Sequence, residues 1–162
     1  MNSIFKIFTA IVIVSLSLMI IIFYNDYNFK SNPLSKDIQK RLYEKKKQVV
    51  YQVKRKYNIN LNVPIIVSDE LPNSLFGLTS YKSGKIKIYL NKKRFKENEN
   101  YMIENVLEHE YAHAVMFHFK KFTKVNGGHT KQWQQICLNI SDNKCDRYVG
   151  HKDILIEKVI GL

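Results

Sequence analysis

Arginine is scarce in this chain, with only four among the 26 basic residues and the other 22 being lysines. The guanidinium forks best suited to phosphate recognition are therefore few. With 14 acidic residues the formal net charge is +12, which admits nucleic acid, anionic lipid or an acidic substrate as partner. Lys, Asn, Ile and Tyr are abundant together, as in an AT-rich coding sequence, and that bias makes nucleic-acid binding the minority reading. The basic run KRLYEKKK (Lys40 to Lys47) reads as a solvated helix face, with a membrane-surface role as its alternative. Low-complexity tracts and repeats at periods of about twenty to fifty residues are also absent. An apolar share of 45% and a charged share of 25% over 162 residues exclude a disordered chain and suit one modest domain with a real core.

Cysteine is nearly absent. Cys137 and Cys145 could be combined with His118 and His151 as a metal site, but their spacing fits no compact motif. Cys137 falls on an apolar stripe with Trp133 and Ile136, so a buried core thiol is the better reading. A Cys137–Cys145 disulfide in an oxidising compartment is neither required nor excluded. No cysteine lies near the N-terminus to accept a lipid.

One long hydrophobic run is present, IFTAIVIVSLSLMIIIFY, eighteen uncharged residues from Ile7 to Tyr24, against the roughly 20 that cross a bilayer core. It is longer than the apolar region of a cleaved signal peptide, has no small-x-small cleavage site, and exits through Phe23, Tyr24 and Asn25. The expectation is a single-pass anchor over 7–24 behind a short tail, 1–6, followed by a linker, 25–34, and one domain, 35–162. Flanking charge leans weakly toward a cytoplasmic domain, whereas signal anchors ordinarily keep a short tail inside. The side of the membrane stays open.

Past the linker, Ser35 caps a helical pattern whose apolar positions Leu34, Ile38, Leu42, Val49, Val50, Val53 and Tyr57 are spaced mostly in fours and which should end near Asn58. VPIIVSDEL (Val63 to Leu71) reads as a buried strand, and GLTSYKSGKIKIYLN (Gly77 to Asn91) as a hairpin turning at Ser83-Gly84. In its second arm Ile86, Ile88 and Leu90 alternate with Lys85, Lys87 and Tyr89, as in a half-buried strand near a sheet edge. That arm is a candidate for pairing with an extended substrate. From Glu97 to Phe119 the chain predicts a central helix, apolar nearly all round, with Glu104 and Glu108 marking its wet side.

That helix carries HEYAH. His109 and His113, four apart, lie on one face about one turn from each other and can converge on one ion. Glu110 is placed to reach a water polarised by that ion without binding the ion itself. Leaving two imidazoles and a carboxylate unpartnered in an apolar helix would cost about 2 to 7 kcal/mol per group by transfer scales, a difficulty that a metal removes. A third ligand is required. The metzincin continuation needs Gly at 116 and His at 119, where this chain has Met116 and Phe119. Glu157 is the late carboxylate a gluzincin would use. His118 lies five residues beyond His113 and is turned away from its face, while His151 and Glu157 need a longer return of the chain. His129 follows Asn126-Gly127-Gly128 and opens an amphipathic helix carrying Trp133, Ile136, Cys137 and Ile140, so it is the best candidate, in the first turn of a helix packed on the motif helix.

HEYAH, a loop, then HTKQW resembles the SprT-like zinc metallopeptidases, with the order helix, strand, hairpin and motif helix matching over roughly Lys36 to Tyr148. The resemblance implies an α+β, zincin-like single domain, one catalytic Zn2+ held by His109, His113 and His129, Glu110 as catalytic acid/base, and Trp133 in the place of the family's aromatic. Thr130 stands where the family usually has glycine. No CxxC zinc ribbon and no DNA-binding tail is evident, so cleavage of proteins crosslinked to DNA is not supported, and an anchor is unusual in this comparison. Tyr148 and His151 are candidates for steadying an oxyanion. The expected function is a membrane-anchored zinc metalloendopeptidase acting on a protein or peptide substrate. Its rivals are a non-catalytic zinc-binding or assembly module, against which the presence of Glu110 argues, and a basic protein that binds DNA or anionic lipid.

Overall fold

The computed structural model describes residues 3–123, 128–141 and 145. The chain divides into two compact units, Met1–Leu34 and Ser35–Leu162. The first consists of helix α1, Ser3–Ser31, none of whose residues is buried. Its most apolar stretch reaches a mean hydropathy of 2.7, and the helix is long and apolar enough to cross a membrane. The helix continues through most of the segment expected to be a linker, because its last turns trade apolar for polar residues that still suit a helix. There Lys30 pairs with Asp26 one turn back at 2.6 Å.

In the second unit α2, Lys36–Tyr57, begins where Ser35 Oγ accepts the Ile38 N–H and ends at Asn58, which takes a left-handed conformation with φ 54°. Of the expected apolar positions, Ile38, Leu42, Val49 and Val53 are buried, as is Leu34 before the helix, whereas Val50 and Tyr57 are half-buried; Lys45 is buried too. Lys45 is the exception to the solvated-face reading of the basic run: three residues after Leu42 and four before Val49, it lies on the apolar stripe. Its Nζ sits 2.7 Å from both Glu104 and Glu108. Burial alone would lower the lysine pKa, but these two carboxylates outweigh it and raise it. Glu108, expected on the wet side, is 3% exposed, because Lys45 supplies the counter-charge that permits its burial.

The sheet has three strands in the order β1–β3–β2. Strand β1, Ile65–Ser68, runs parallel to β3, Lys85–Asn91, and β2, Gly77–Lys82, runs antiparallel to it. The hairpin turns at Ser83 and Gly84, both at positive φ (50° and 78°), as a two-residue turn matched to strand twist requires. Two expectations change. The strand read over Val63 to Leu71 is only four residues long and half-buried. The arm from Lys85 to Leu90, read as near an edge, is the central strand, with β1 on one side and β2 on the other. Its period of two reported the buried face, Ile88 and Leu90, but carries no information on which ladder edges are paired.

A short helix α3, Lys92–Phe95, follows β3. A helical stretch then runs through α4, Glu99–Tyr101, a π-helical turn, Met102–Val106, and α5, Leu107–His118. Every residue of α5 from Leu107 to Met116 is buried, since β2, β3, α2 and the last helix, α6, Lys131–Ile140, all pack on it. The Tyr111 hydroxyl accepts the Val63 N–H at 3.3 Å and ties α5 to the approach to β1. Burial pushes that phenol up to about 12, against the effect of the hydrogen bond. Cys137 is fully buried, as its stripe predicted, but it is not a free thiol: it is bonded to Cys145, with Cα atoms 5.9 Å apart. Sequence separation alone could not decide this pairing.

Candidate metal centre

Helix α5 presents His109 and His113 one turn apart, with ring centroids 5.1 Å from each other. His129 meets both: its Nε2 lies 2.9 Å from His109 Nε2 and 3.1 Å from His113 Nε2. These three residues form a group whose ligand atoms lie within 4.8 Å of one another and could hold a metal ion. Burial holds His113 down to about 3, and the neighbouring imidazoles of His109 and His129 add to that effect, so the ring stays neutral, as a ligand must.

The sequence that delivers His129 differs in detail from expectation. His129 is not in the first turn of α6 but precedes the helix: Thr130 is its cap, and Thr130 Oγ1 accepts the Trp133 N–H at 3.2 Å. A hydroxyl at this position thus performs a task that glycine cannot. Gly128, at φ 87°, takes a backbone conformation that L side chains rarely adopt, and a Cβ there would run into the Phe122 ring. One turn into α6, Trp133 places its buried indole against all three imidazoles, with centroids 4.7, 5.2 and 4.6 Å from His109, His113 and His129.

Glu110 faces the sheet. Its carboxylate is buried and accepts a 2.6 Å hydrogen bond from Thr79 Oγ1 on β2. Burial pushes its pKa up to about 7, against the lowering effect of Thr79. Glu110 and the three histidines line one cavity of about 250 Å³, together with β2 and the segment before it, from Ser74 to Thr79, and Phe122. Buried Asn91 shapes that segment, its side-chain amide donating to the carbonyls of Pro72 at 3.1 Å and Leu75 at 2.8 Å.

His118 is exposed and stands outside the cluster, against Phe119. Asn126, Gly127, Tyr148, His151 and Glu157 lie outside the described residues. Sequence reasoning missed Thr79, Gly77, Asn91 and Phe122. Gly77 at the head of the predicted hairpin was a visible signal, since glycine within a strand often marks a close approach.

No curated protein and no solved structure was found to match the chain. The model of the SprT-like family matches it over residues 24–151 of 162. The chain belongs to the SprT-like family.

Proposed function

We propose that this protein is a zinc-dependent metallopeptidase with a zincin-like catalytic domain. The observation that carries the reading is the convergence of three imidazole nitrogens in the cavity that also receives the Glu110 carboxylate. The donor set fits zinc: separations of 2.9 and 3.1 Å are slightly under the ~3.3 Å between ligands of a tetrahedral ion with Zn–N near 2.0–2.1 Å. Three imidazole nitrogens also leave a coordination position open, as in catalytic rather than structural sites. Zinc bound there supplies an electrophile for a peptide carbonyl and lowers the pKa of water to about 7.

The chain's own residues supply the rest. Glu110 takes a proton from the attacking water and returns it to the leaving amine, a role open to a carboxylate that lines the same cavity as the three imidazoles. Trp133 and the packing of α6 on α5 hold the imidazoles in place and keep water from their inner side. Strand β2 has no strand partner on its outer side among the described residues, so β2, not β3, is the strand on which an extended peptide can add with its backbone near Glu110. The test is metal content and proteolysis of the full-length chain in detergent. Glu110→Gln keeps its zinc while turnover falls by about 10²–10⁴-fold, because the amide preserves shape but cannot take a proton. Undiminished turnover in that variant would end the assignment.

Helix α1 anchors the protein in a membrane in this reading, and the Cys137–Cys145 disulfide favours the oxidising side for the domain. In intact cells a membrane-impermeant maleimide, applied after reduction with a membrane-impermeant phosphine, labels Cys145, the half-buried partner of the pair. Labelling only after lysis would place the domain inside.

A further inference from the structure

Two residues of β2, Gly77 and Thr79, share one face of the strand, and both bear on Glu110. A Cβ built on Gly77 would lie 2.7 Å from Glu110 Cγ, 2.8 Å from its Oε1 and 3.0 Å from its Cδ. Any side chain there would displace the carboxylate, and Gly77 is not at a positive φ that would otherwise explain a glycine. Two residues on, Thr79 Oγ1 lies 2.6 Å from Glu110 Oε2 and 2.8 Å from the Glu110 backbone carbonyl oxygen. Register fixes both: Gly77 pairs with Leu90 and Thr79 with Ile88, two fully buried residues of the central strand.

We propose that Gly77 and Thr79 form a seat that positions the Glu110 carboxylate for proton transfer, with Gly77 as the space it occupies and Thr79 as the donor that sets its plane. The proposal rests on the peptidase reading above. Thr79 holds Oε2, and the space left at Gly77 admits Oε1, so the two strand residues together fix the plane of the carboxylate. Thr79 is thus a positioning residue, acting through Glu110 without contact with the reacting atoms.

Valine at 79 keeps the shape and removes the donor, whereas serine keeps the donor. The experiment compares full-length wild type, Thr79→Val, Thr79→Ser and Gly77→Ala in detergent with equimolar zinc, reading zinc content, kcat and KM on a fluorogenic casein. Thr79→Val should lose about ten- to a hundredfold in kcat, the range expected for a hydrogen bond to a charged group, with KM and zinc content unchanged. Thr79→Ser should recover most of that loss, and Gly77→Ala should lose at least as much as Thr79→Val. A merely structural role would not produce the split between kcat and KM or the rescue by serine. Wild-type kcat in Thr79→Val, or serine no better than valine, would overturn the seat while leaving the peptidase standing. If Thr79→Val does not fold, Gly77→Ala decides, and unchanged kcat there overturns the proposal. A wild type that holds zinc but cleaves nothing overturns both readings.

Discussion

The cleft has two walls of different construction. The wall from α5 and α6 presents three imidazoles against one indole, all on helices or next to a helix cap. The wall from β2 and the segment before it presents backbone, the hydroxyl residues Ser74 and Thr79, and the apolar residues Leu75, Phe76 and Leu78. Glu110 belongs to the first by sequence and to the second by contact, since its residue lies on α5 and its carboxylate bonds to β2. Under the proposed function, the metal is held by one wall and the carboxylate that handles the proton is seated by the other, although HExxH writes their residues side by side. Damage to the helical wall should cost the metal; damage to the strand wall should cost turnover with the metal retained.

The largest effect tests the helical wall. Removing one imidazole of three leaves two ligands, so His129→Ala should purify folded on its apolar helices but depleted in zinc and without activity. His118→Ala should retain both, since that ring is exposed and outside the cluster. Metal analysis by mass spectrometry of both variants is the measurement. Full zinc in His129→Ala, or its loss in His118→Ala, would move the site away from this wall.

Much of the helical wall was legible in the sequence because metal ligation demands particular residue types at a particular helical spacing. His109, Glu110 and His113 could be placed on one helix, and His129 could be chosen by its position between a glycine-containing loop and an amphipathic helix. The strand wall was not legible. Glycine and threonine have many uses, and their meaning here depends on the register that sets Gly77 and Thr79 under Glu110, which is a tertiary fact. The same limit explains Lys45. Its place on the apolar stripe of α2 was visible in the spacing, but the carboxylates that justify its burial come from a segment about sixty residues later. Helix starts and the hairpin were written locally in Ser35 and in Ser83-Gly84. The order of the strands, which among the described residues makes β2 and not β3 an edge strand, was written nowhere locally.

An intermediate effect isolates the strand wall in metal-free protein. Burial raises Glu110 from 4.5 to about 7. Below pH 4 the carboxyl is protonated in folded and unfolded chains alike. As pH rises through the window between the two values, the unfolded chain loses the proton first, and stability falls until the folded group ionises as well. The neutral isostere in Glu110→Gln escapes that loss. Metal-free Glu110→Gln should therefore exceed metal-free wild type by about 3 kcal/mol at pH 8, with the gap closing by pH 4. Urea titrations at the two pH values give the comparison, and a gap independent of pH would mean that Glu110 is not buried by the strand wall as described.

The smallest effect returns to the helical wall, at the position where this chain departs from the family's usual glycine. Thr130 Oγ1 accepts the Trp133 N–H at 3.2 Å, and Trp133 is the residue whose indole supports all three imidazoles, so the cap fixes the start of α6 and the direction in which its first turn leaves His129. Thr130→Ala should cost about 1 kcal/mol of stability, and Thr130→Gly only a few tenths, since an N-cap tolerates glycine far better than alanine. Because the three ligands themselves are untouched, zinc content should be full in both variants. A denaturant series on the zinc-loaded protein reads the stabilities and metal analysis reads the site. If alanine and glycine were equally costly, the hydroxyl would not be acting as a cap. Zinc loss in either variant would show that the cap also holds His129, and the helical wall would then depend on Thr130 as closely as the strand wall depends on Thr79.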